Sequence, residues 1–236
     1  MLSLDKQEAY RRRYASDHPG WKPATHRYLD MVTRYLPTAT RILDVGCGRG
    51  GVVEQLRPHV GQFVAIDLDF VSLREHRLPA LRRACSPSER LPFPDGIFDI
   101  VCSSWVLEHL EHPDIAFAEV ARVLAPGGVF IFVTPNRLHP LLTLNRFVGW
   151  TQGRLVDRLY GRDQADTFPA FYRANAARTI ETLLREAGLE HTAVQMVSDP
   201  TYLAFNNALY RLAMLLEYLT PARYRVHIVG QAHKPR

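Results

Sequence analysis

The sequence predicts an α/β fold organised around a mainly parallel sheet. Three observations predict it. Short apolar runs alternate with stretches of helical pattern. A glycine-rich turn follows the first of those runs. The bulk composition, 236 residues with 47% hydrophobic and 22% charged, is that of an ordinary globular chain. It sets aside disordered, collagen-like and coiled-coil classes. At about 150 residues per domain the length allows one or two domains, and it is enough to bury a full core.

The elements follow in order. Arg41 to Val45 is a first apolar strand, Gly46 to Gly51 the glycine turn, and Val52 to Leu56 a helix stopped by Pro58. Phe63 to Asp67 is a second strand, with a short helix over Val71 to Arg77. Leu81 to Ser86 is a weak third strand and Ile97 to Ser103 a fourth. A helix over Asp114 to Leu124 ends at Ala125–Pro–Gly–Gly128, and Val129 to Val133 is a fifth strand. Strands spaced by helices of this length imply parallel βαβ units. Residues 137–172 are rich in Leu, Phe, Trp and Arg and carry no strand signal. Ala176 to Ala187 reads as a helix, with Asn175 as N-cap and Gly188 as its stop. Leu189 to Val197 is a sixth strand. Asp199 and Pro200 open a helix that runs to about Leu219, and Tyr224 to Gln231 is a seventh strand. No linker divides the chain, so one domain over 1–236 is expected.

The formal charge of +5 is unevenly spread: +3 over residues 1–34, −3 over 35–136, +1 over 137–199 and +4 over 200–236. The basic excess flanks an acidic middle. Cys47, Cys85 and Cys102 are an odd set without paired spacing, which argues against a disulfide framework or a cysteine zinc site and suits a reducing compartment. No run approaches the ~18 apolar residues of a membrane span, and the Arg11–Arg12–Arg13 cluster is not followed by an apolar segment. A cytoplasmic location is expected.

The glycine turn matches two templates. As Gly46-x-Gly48-x-x-Gly51 it is a dinucleotide fingerprint, and as Asp44-x-Gly46-x-Gly48-x-Gly50 an adenosylmethionine loop. Both place glycines where backbone must approach a ligand at a helix start. Asp44 shifts the balance, because a carboxylate there suits a ligand bearing ammonium and sulfonium charges and suits a pyrophosphate poorly. Asp67 ends the second strand, where an acidic group accepts hydrogen bonds from ribose hydroxyls. Its neighbour Asp69 reads as a solvated helix N-cap.

On these residues the sequence resembles the class I S-adenosylmethionine-dependent methyltransferases, and is most similar to the subgroup of ubiquinone-biosynthesis and small-molecule O-methyltransferases. Arg41–Ile–Leu–Asp–Val–Gly–Cys–Gly–Arg–Gly50 looks like that family's first motif and Val64–Ala–Ile–Asp67 like its ribose motif. Glu89 to Val101, Val106–Leu–Glu–His–Leu110 and Arg122–Val–Leu–Ala–Pro–Gly–Gly128 continue the series in order over residues 38–135. The resemblance implies a Rossmann-like seven-stranded sheet, mostly parallel, flanked by helices, with the last strand antiparallel. It implies methyl transfer from S-adenosylmethionine, with 38–135 as cofactor-binding core and 1–36 as an N-terminal helical lid. The segments 137–172 and 200–219 would be acceptor-side insertions. Cofactor contacts are implied for Asp44, Gly46, Gly48, Gly50, Asp67, Leu68, Ser88, Glu89, Ser103 and Trp105.

Two departures bear on chemistry. Where family members often carry an adenine-binding Asp, this chain has Pro87, so that contact passes to backbone, Ser88 or Glu89. Where the ubiquinone enzymes carry Glu-x-x-Glu-His linked to a divalent metal, this chain has Trp105-x-x-Glu108-His109, and no tightly bound metal is expected. Trp105 either covers the cationic ligand or packs as a structural aromatic.

An alcohol or phenol acceptor must lose its proton, preferably to a group titrating near pH 7. His109, expected on a helix after the fourth strand, is the catalytic candidate, with a structural role beside the site as the alternative. His139, just after the fifth strand, is the second candidate, with a solvated loop residue as the alternative; His112 reads as a turn residue, and His18 and His26 belong to the lid. Cys102 reads as a small buried hydrophobe. Phe205, Leu209, Leu212, Leu216 and Leu219 form one apolar helical stripe, and Leu138 to Trp150 a second cluster flanked by arginines. These either pack on the core, line an apolar pocket, or touch a membrane surface. The expected function is methyl transfer to a small, lipid-like or apolar acceptor at oxygen. RNA or protein methylation, a non-catalytic partner on the same fold and a nicotinamide oxidoreductase are the competing readings. No RNA-binding module or aromatic–basic interleaving supports nucleic acid.

Overall fold

The computed structural model describes residues 4–39, 41–56, 59, 62–143 and 168–236. Seven strands form one sheet: β1 (Ile42–Val45), β2 (Phe63–Asp67), β3 (Arg82–Cys85), β4 (Phe98–Ser104), β5 (Leu124–Pro135), β6 (Glu190–Val197) and β7 (His227–His233). Their order across the sheet is β3-β2-β1-β4-β5-β7-β6. The pairs β1–β2, β2–β3, β1–β4 and β4–β5 are parallel. β7 runs antiparallel to both of its neighbours, β5 and β6. This is the mostly parallel, seven-stranded Rossmann-like sheet expected from the sequence, with its last strand reversed.

The period-two alternation of strand side chains builds two cores from one sheet. Ile42, Ile100, Cys102, Ile131, Val133 and Val229 point to one face, where α2 (Ala24–Tyr35) covers them with Tyr28, Met31 and Val32. Leu43, Val45, Val101, Phe130, Phe132 and Ile228 point to the other. There α5 (Pro113–Val123) supplies Phe117 and Val120, and α6 (Ala177–Glu186) supplies Ile180 and Leu184. Burying a side chain of this size contributes roughly 1.5–3 kcal/mol, so β1, β4 and β5, covered on both faces, anchor the fold.

α2, within the segment 1–36 expected as a lid, is therefore part of the sheet's packing layer; α1 (Leu4–Asp17) precedes it. α1 packs away from the sheet. Tyr14 is buried with Ala204 and Tyr210, and Tyr10 and Trp21 pack around them. Arg11 binds Asp199 through Nε at 3.0 Å and Nη2 at 2.7 Å.

Three local expectations are corrected. The helix expected over 200–219 is two elements. Asp199 caps only a 3₁₀ turn, Pro200–Leu203, and a second cap at Asn206, whose side chain accepts from Leu209 N, starts α7 (Asn207–Leu219). Ala204 leaves helical geometry between them, and each cap begins its own hydrogen-bonded segment. Asn175 does not cap α6; Ala176 takes that position without a side-chain cap. The Asn175 amide turns inward and donates to Thr134 Oγ1 at 2.6 Å and to the Pro135 carbonyl at 3.2 Å, because the Thr134 hydroxyl is buried and would otherwise go unpaired on that side. His109 lies on a short 3₁₀ turn, Leu107–His109, and not on a helix. At the other end of α6 the reading of Gly188 holds. Its φ is +80°, Gly188 N donates to Arg185 O, and Leu189 N donates to Leu184 O, a Schellman closure that leads directly into β6.

The apolar stripe of α7 faces outward. Tyr210 and Ala213 make its buried side, while Leu209, Leu212, Leu216 and Leu219 are exposed. Of the cluster Leu138 to Trp150, the part from residue 144 onward lies outside the described residues, as does 144–167 of the segment 137–172.

Gly230 in β7 sits under the Phe132 ring, and a Cβ there would lie 2.4 Å from Phe132 Cζ and 3.1 Å from the Ala193 carbonyl oxygen. Gly230→Ala is expected to cost about 1–3 kcal/mol by overpacking. A urea titration followed by far-UV circular dichroism measures this; an unchanged midpoint would contradict the packing described.

Candidate active site

The site forms where β1, β2 and β4 end together. Parallel strands with crossover helices leave their carboxyl ends as the open edge, where ligands bind in such sheets. Register sets the neighbours: Asp44 lies beside Ala65 and Cys102, and Val45 beside Ile66 and Ser103. Gly46 N and Cys47 N both donate to the Ile66 carbonyl, at 2.8 and 3.0 Å, so the glycine turn is fastened to β2 as it leaves β1.

Gly46 has φ +78°, and a Cβ on it would lie 2.2 Å from Val106 Cγ2. Only glycine lets this turn close against the residue that follows β4. Gly48 has φ +53° and nothing within 4 Å of where a Cβ would stand, so its bare backbone faces open space. Gly50, at φ +143°, is crowded by the Glu54 carboxylate, which Arg77 holds at 2.7 and 3.0 Å. The turn is thus braced on one side and open on the other.

Two carboxylates flank it. Asp67 accepts from Gly48 N at 2.7 Å and from Asp69 N at 2.8 Å, one bond to each oxygen. Each oxygen keeps a lone pair for a hydroxyl donor. Asp69 accepts from Val71 N and Ser72 N and caps α4 (Phe70–Arg74), the role its position suggested. Asp44 is buried on the α2 face of β1, and its Oδ1 lies 3.8 Å from the Cys102 thiol. Burial pushes its carboxyl up to about 7, the charge of Asp67 adds to this, and the Cys102 thiol opposes it. The same surroundings hold the Cys102 thiol and the Tyr28 hydroxyl un-ionised, with burial the largest cause for both.

The remaining expected contacts gather around this edge. Leu68 is 71% exposed directly after Asp67. Ser86 N donates to the Asp67 carbonyl, which hangs the turn carrying Ser88 and Glu89 from the end of β2. Ser88 Oγ donates to Glu89 Oε2 at 3.0 Å. Ser103 is buried and its Oγ has no partner. Trp105 takes φ +61°, which is strained for a bulky residue. Its N–H donates to the Val133 carbonyl, and its ring lies edge-on to His227 at 5.0 Å. His109 Nδ1 lies 2.8 Å from the Pro169 carbonyl oxygen. A carbonyl only accepts, so Nδ1 carries the hydrogen and Nε2 the lone pair. Among the described residues, no group of three or more His, Cys, Asp or Glu side chains is placed to hold a metal ion.

These residues fit a cationic nucleoside ligand. A buried carboxyl needs an opposite charge to ionise without penalty, the bare backbone at Gly48 admits close approach, and Asp67 can still accept from a ribose. Residues 43–132 match the family described as "Methyltransferase domain". The chain is a class I S-adenosylmethionine-dependent methyltransferase. It is 28% identical to a phthiotriol/phenolphthiotriol dimycocerosates methyltransferase of Mycobacterium leprae over 84% of this chain and 77% of that one. It is 27% identical to a ubiquinone/menaquinone biosynthesis C-methyltransferase of Laribacter hongkongensis over 72% of this chain and 73% of that one. Its fold is similar to that of an S-adenosylmethionine-dependent methyltransferase of Mesorhizobium loti, with TM-score 0.62 and 20% identity over 90% of this chain and 98% of that one.

The structure also brings to this methyltransferase's open edge His227, which sequence reasoning missed, and His139, the second catalytic candidate. β7 is antiparallel, so His227 at its start lies among the ends of the parallel strands. Its Nε2 is 2.8 Å from the Tyr202 hydroxyl, and its Nδ1 is buried without a partner. Burial lowers His227 to about 4; Asp199 opposes this, while Arg11 and His139 push in the same direction. His139 is buried as well, contrary to the solvated-loop alternative, and burial lowers it to about 4. No sequence period marks either histidine, because both belong to the turns and strand ends of the second half of the sheet.

A carboxyl raised by folding makes the ligand-free protein less stable as pH climbs from its unfolded value of 3.8 to about 7. Asp44→Asn is therefore expected to stabilise the ligand-free protein at pH 8 by on the order of 2 kcal/mol, while weakening binding of S-adenosylmethionine about tenfold or more. Thermal denaturation and calorimetry at pH 6 and 8 check both; wild-type affinity should rise between those values and the variant's should not.

Proposed function

We propose that this methyltransferase modifies a hydroxyl oxygen on a small, lipid-like acceptor, with His109 receiving the hydroxyl proton. The observation that carries the reading is the His109 tautomer. Its Nδ1 hydrogen is committed to the Pro169 carbonyl, which leaves Nε2 as the basic nitrogen, and Phe168 flanks the ring at 6.1 Å. When bound, S-adenosylmethionine supplies a methyl group on a positively charged sulfur, an electrophile that needs an aligned nucleophile more than it needs activation. The chain's part is to hold Asp44 and Asp67 against that charged nucleoside, to orient the acceptor, and to take up the proton at His109 Nε2. The oxygen lone pair forms the new bond to the methyl carbon, and the sulfur keeps the electron pair of the bond that breaks.

The lipid-like character is supported by the apolar and aromatic residues beyond the sheet edge, Trp105, Leu138, Phe168 and Phe171, of which Leu138, Phe168 and Phe171 are exposed. It is supported also by the mycobacterial relative, which is named for phthiotriol and phenolphthiotriol dimycocerosates. Buried and neutral, His227 and His139 suit hydrogen bonding to an uncharged acceptor group, with Tyr202 orienting His227. A cell-interior location, with access to lipid at a membrane surface, agrees with the three free cysteines. Carbon methylation is the second reading. The relative named as a C-methyltransferase, 27% identical over 72% of this chain, favours it.

Incubation of the purified protein with S-adenosylmethionine carrying a 13C methyl, together with lipid, RNA and protein fractions of a cell extract, tests the reading. Label is expected in the lipid fraction, at the chemical shift of a methoxy carbon. Label at a C-methyl shift selects the second reading, and label confined to RNA or protein rejects both. His109→Gln is expected to reduce turnover about 10²–10³-fold with cofactor affinity unchanged by calorimetry; full turnover in that variant would remove His109 from the role.

A further inference from the structure

We propose that the outward face of α7 docks the protein on an anionic lipid bilayer. This deepens the lipid-acceptor reading and rests on it for its purpose, although it is tested apart from methyl transfer.

The helix is amphipathic in the reverse of the usual sense. Tyr210 and Ala213 hold it to the protein, through a cluster shared with Tyr14 and Ala204. At 100° per residue, Leu212, Leu215 and Leu219 fall opposite these two, and Leu209 and Leu216 continue the arc toward Ala213; all five are exposed, Leu215 at 55% and Leu219 at 66%. Apolar side chains scattered singly on a surface need no partner, but five leucines contiguous on one helix face mark an interaction surface. Tyr218, 87% exposed, stands at its edge, where an aromatic ring with a polar tip suits the headgroup level.

The charges around the face select the partner. Arg211 is exposed along its edge, Arg13 lies at its amino-terminal end beside Asn207 and over the Tyr210 ring, and Arg223 lies just past its carboxyl end. Between residues 206 and 224 the one acidic residue is Glu217, which is half-buried on the packed side. An apolar strip framed by arginines, with no exposed carboxylate between residues 206 and 224 and with Asp17 of α1 near Tyr210 on the packed side, matches acyl chains beneath anionic headgroups. A second copy of this chain matches poorly, because a two-fold contact sets the same patch against itself and would bring the Arg211 pair together with no carboxylate between them. Among the described residues no helix is long and apolar enough to cross a membrane, so the contact lies along the surface. α7 follows directly from the turn that carries Tyr202, so docking would bring the Tyr202–His227 edge close to the bilayer from which a lipid acceptor is drawn.

Sedimentation of the purified full chain with sucrose-loaded vesicles tests the proposal. Binding is expected to equimolar phosphatidylcholine–phosphatidylglycerol vesicles, and to be weaker to phosphatidylcholine alone. Leu212→Glu with Leu216→Glu alters only exposed positions, and is expected to lower the partition coefficient about tenfold per leucine with thermal stability and S-adenosylmethionine binding retained. Arg211→Glu with Arg223→Glu is expected to remove the preference for the anionic vesicles. Failure of the wild type to bind either vesicle overturns the proposal. So does a concentration-dependent dimer in light scattering that the leucine variants dissolve, which would assign the face to a second copy. Vesicle binding without methylation of any lipid would leave the docking surface standing and reject the lipid-acceptor reading.

Discussion

Much of this structure depends on one close approach, that of the Gly46 backbone to the Val106 side chain. A methyl group on residue 46 would stand 2.2 Å from Val106 Cγ2. The contact joins the turn after β1 to the segment after β4, two stretches sixty residues apart in the chain. It fixes how far the glycine turn can lean over the sheet edge, and so where Gly48 presents bare backbone and where the Asp67 carboxylate is reached by Gly48 N. It also sets the path of the chain on the other side, because Trp105, immediately before Val106, accepts a left-handed backbone to make the turn. Strain of this kind costs on the order of 1–3 kcal/mol and persists where the surroundings over-determine it. Here they do: the Trp105 N–H is bound to Val133 and its ring is held against His227.

The two halves of the edge use opposite electrostatics. Around the glycine turn, carboxyl groups are gathered with no cation beside Asp44 among the described residues, so that its charge is costly until a cation arrives. Around the start of β7, charges are paired and withdrawn. Arg11 satisfies Asp199, Glu108 accepts from Thr134, and His227 and His139 are kept neutral by burial. The first arrangement suits recognition of positive charge and the second suits an uncharged group beside an apolar chain. The negative middle and positive ends of the charge distribution are the sequence-level trace of this division.

The glycine turn and its carboxylates were readable from sequence because their geometry is local. Asp44, Gly46, Gly48 and Asp67 lie within or just after strands whose apolar pattern is plain, and a turn that demands positive φ leaves glycines in the text. The seven-stranded, mostly parallel sheet was readable by way of the resemblance, which also gave the reversal of the last strand; the order of the strands came from the structure. What was not readable depends on contacts between distant segments. Asn175 has the local chemistry of an N-cap, yet the buried Thr134 hydroxyl and the Pro135 carbonyl claim its amide. The stripe on α7 has the period of a packed face, but period alone does not say which side meets the core; Tyr210 and Ala213 decide that through α1. Likewise, nothing local to His227 announces a histidine whose partner, Tyr202, lies on another turn.

The ion pair between Arg11 and Asp199 spans 188 residues of chain. During synthesis α1 emerges before Asp199, and at ~5–20 residues per second it waits on the order of 10–40 s before that partner leaves the ribosome. By then β1 to β5 and α2 have been made and can close around the glycine turn. The cluster that joins α1 to the segment after β6 is thus assembled after the glycine turn, and α1 spends that interval with Tyr10 and Tyr14 uncovered. Chaperone demand in the cell should therefore fall on the amino-terminal helix, even though that helix is the farthest from the end of translation.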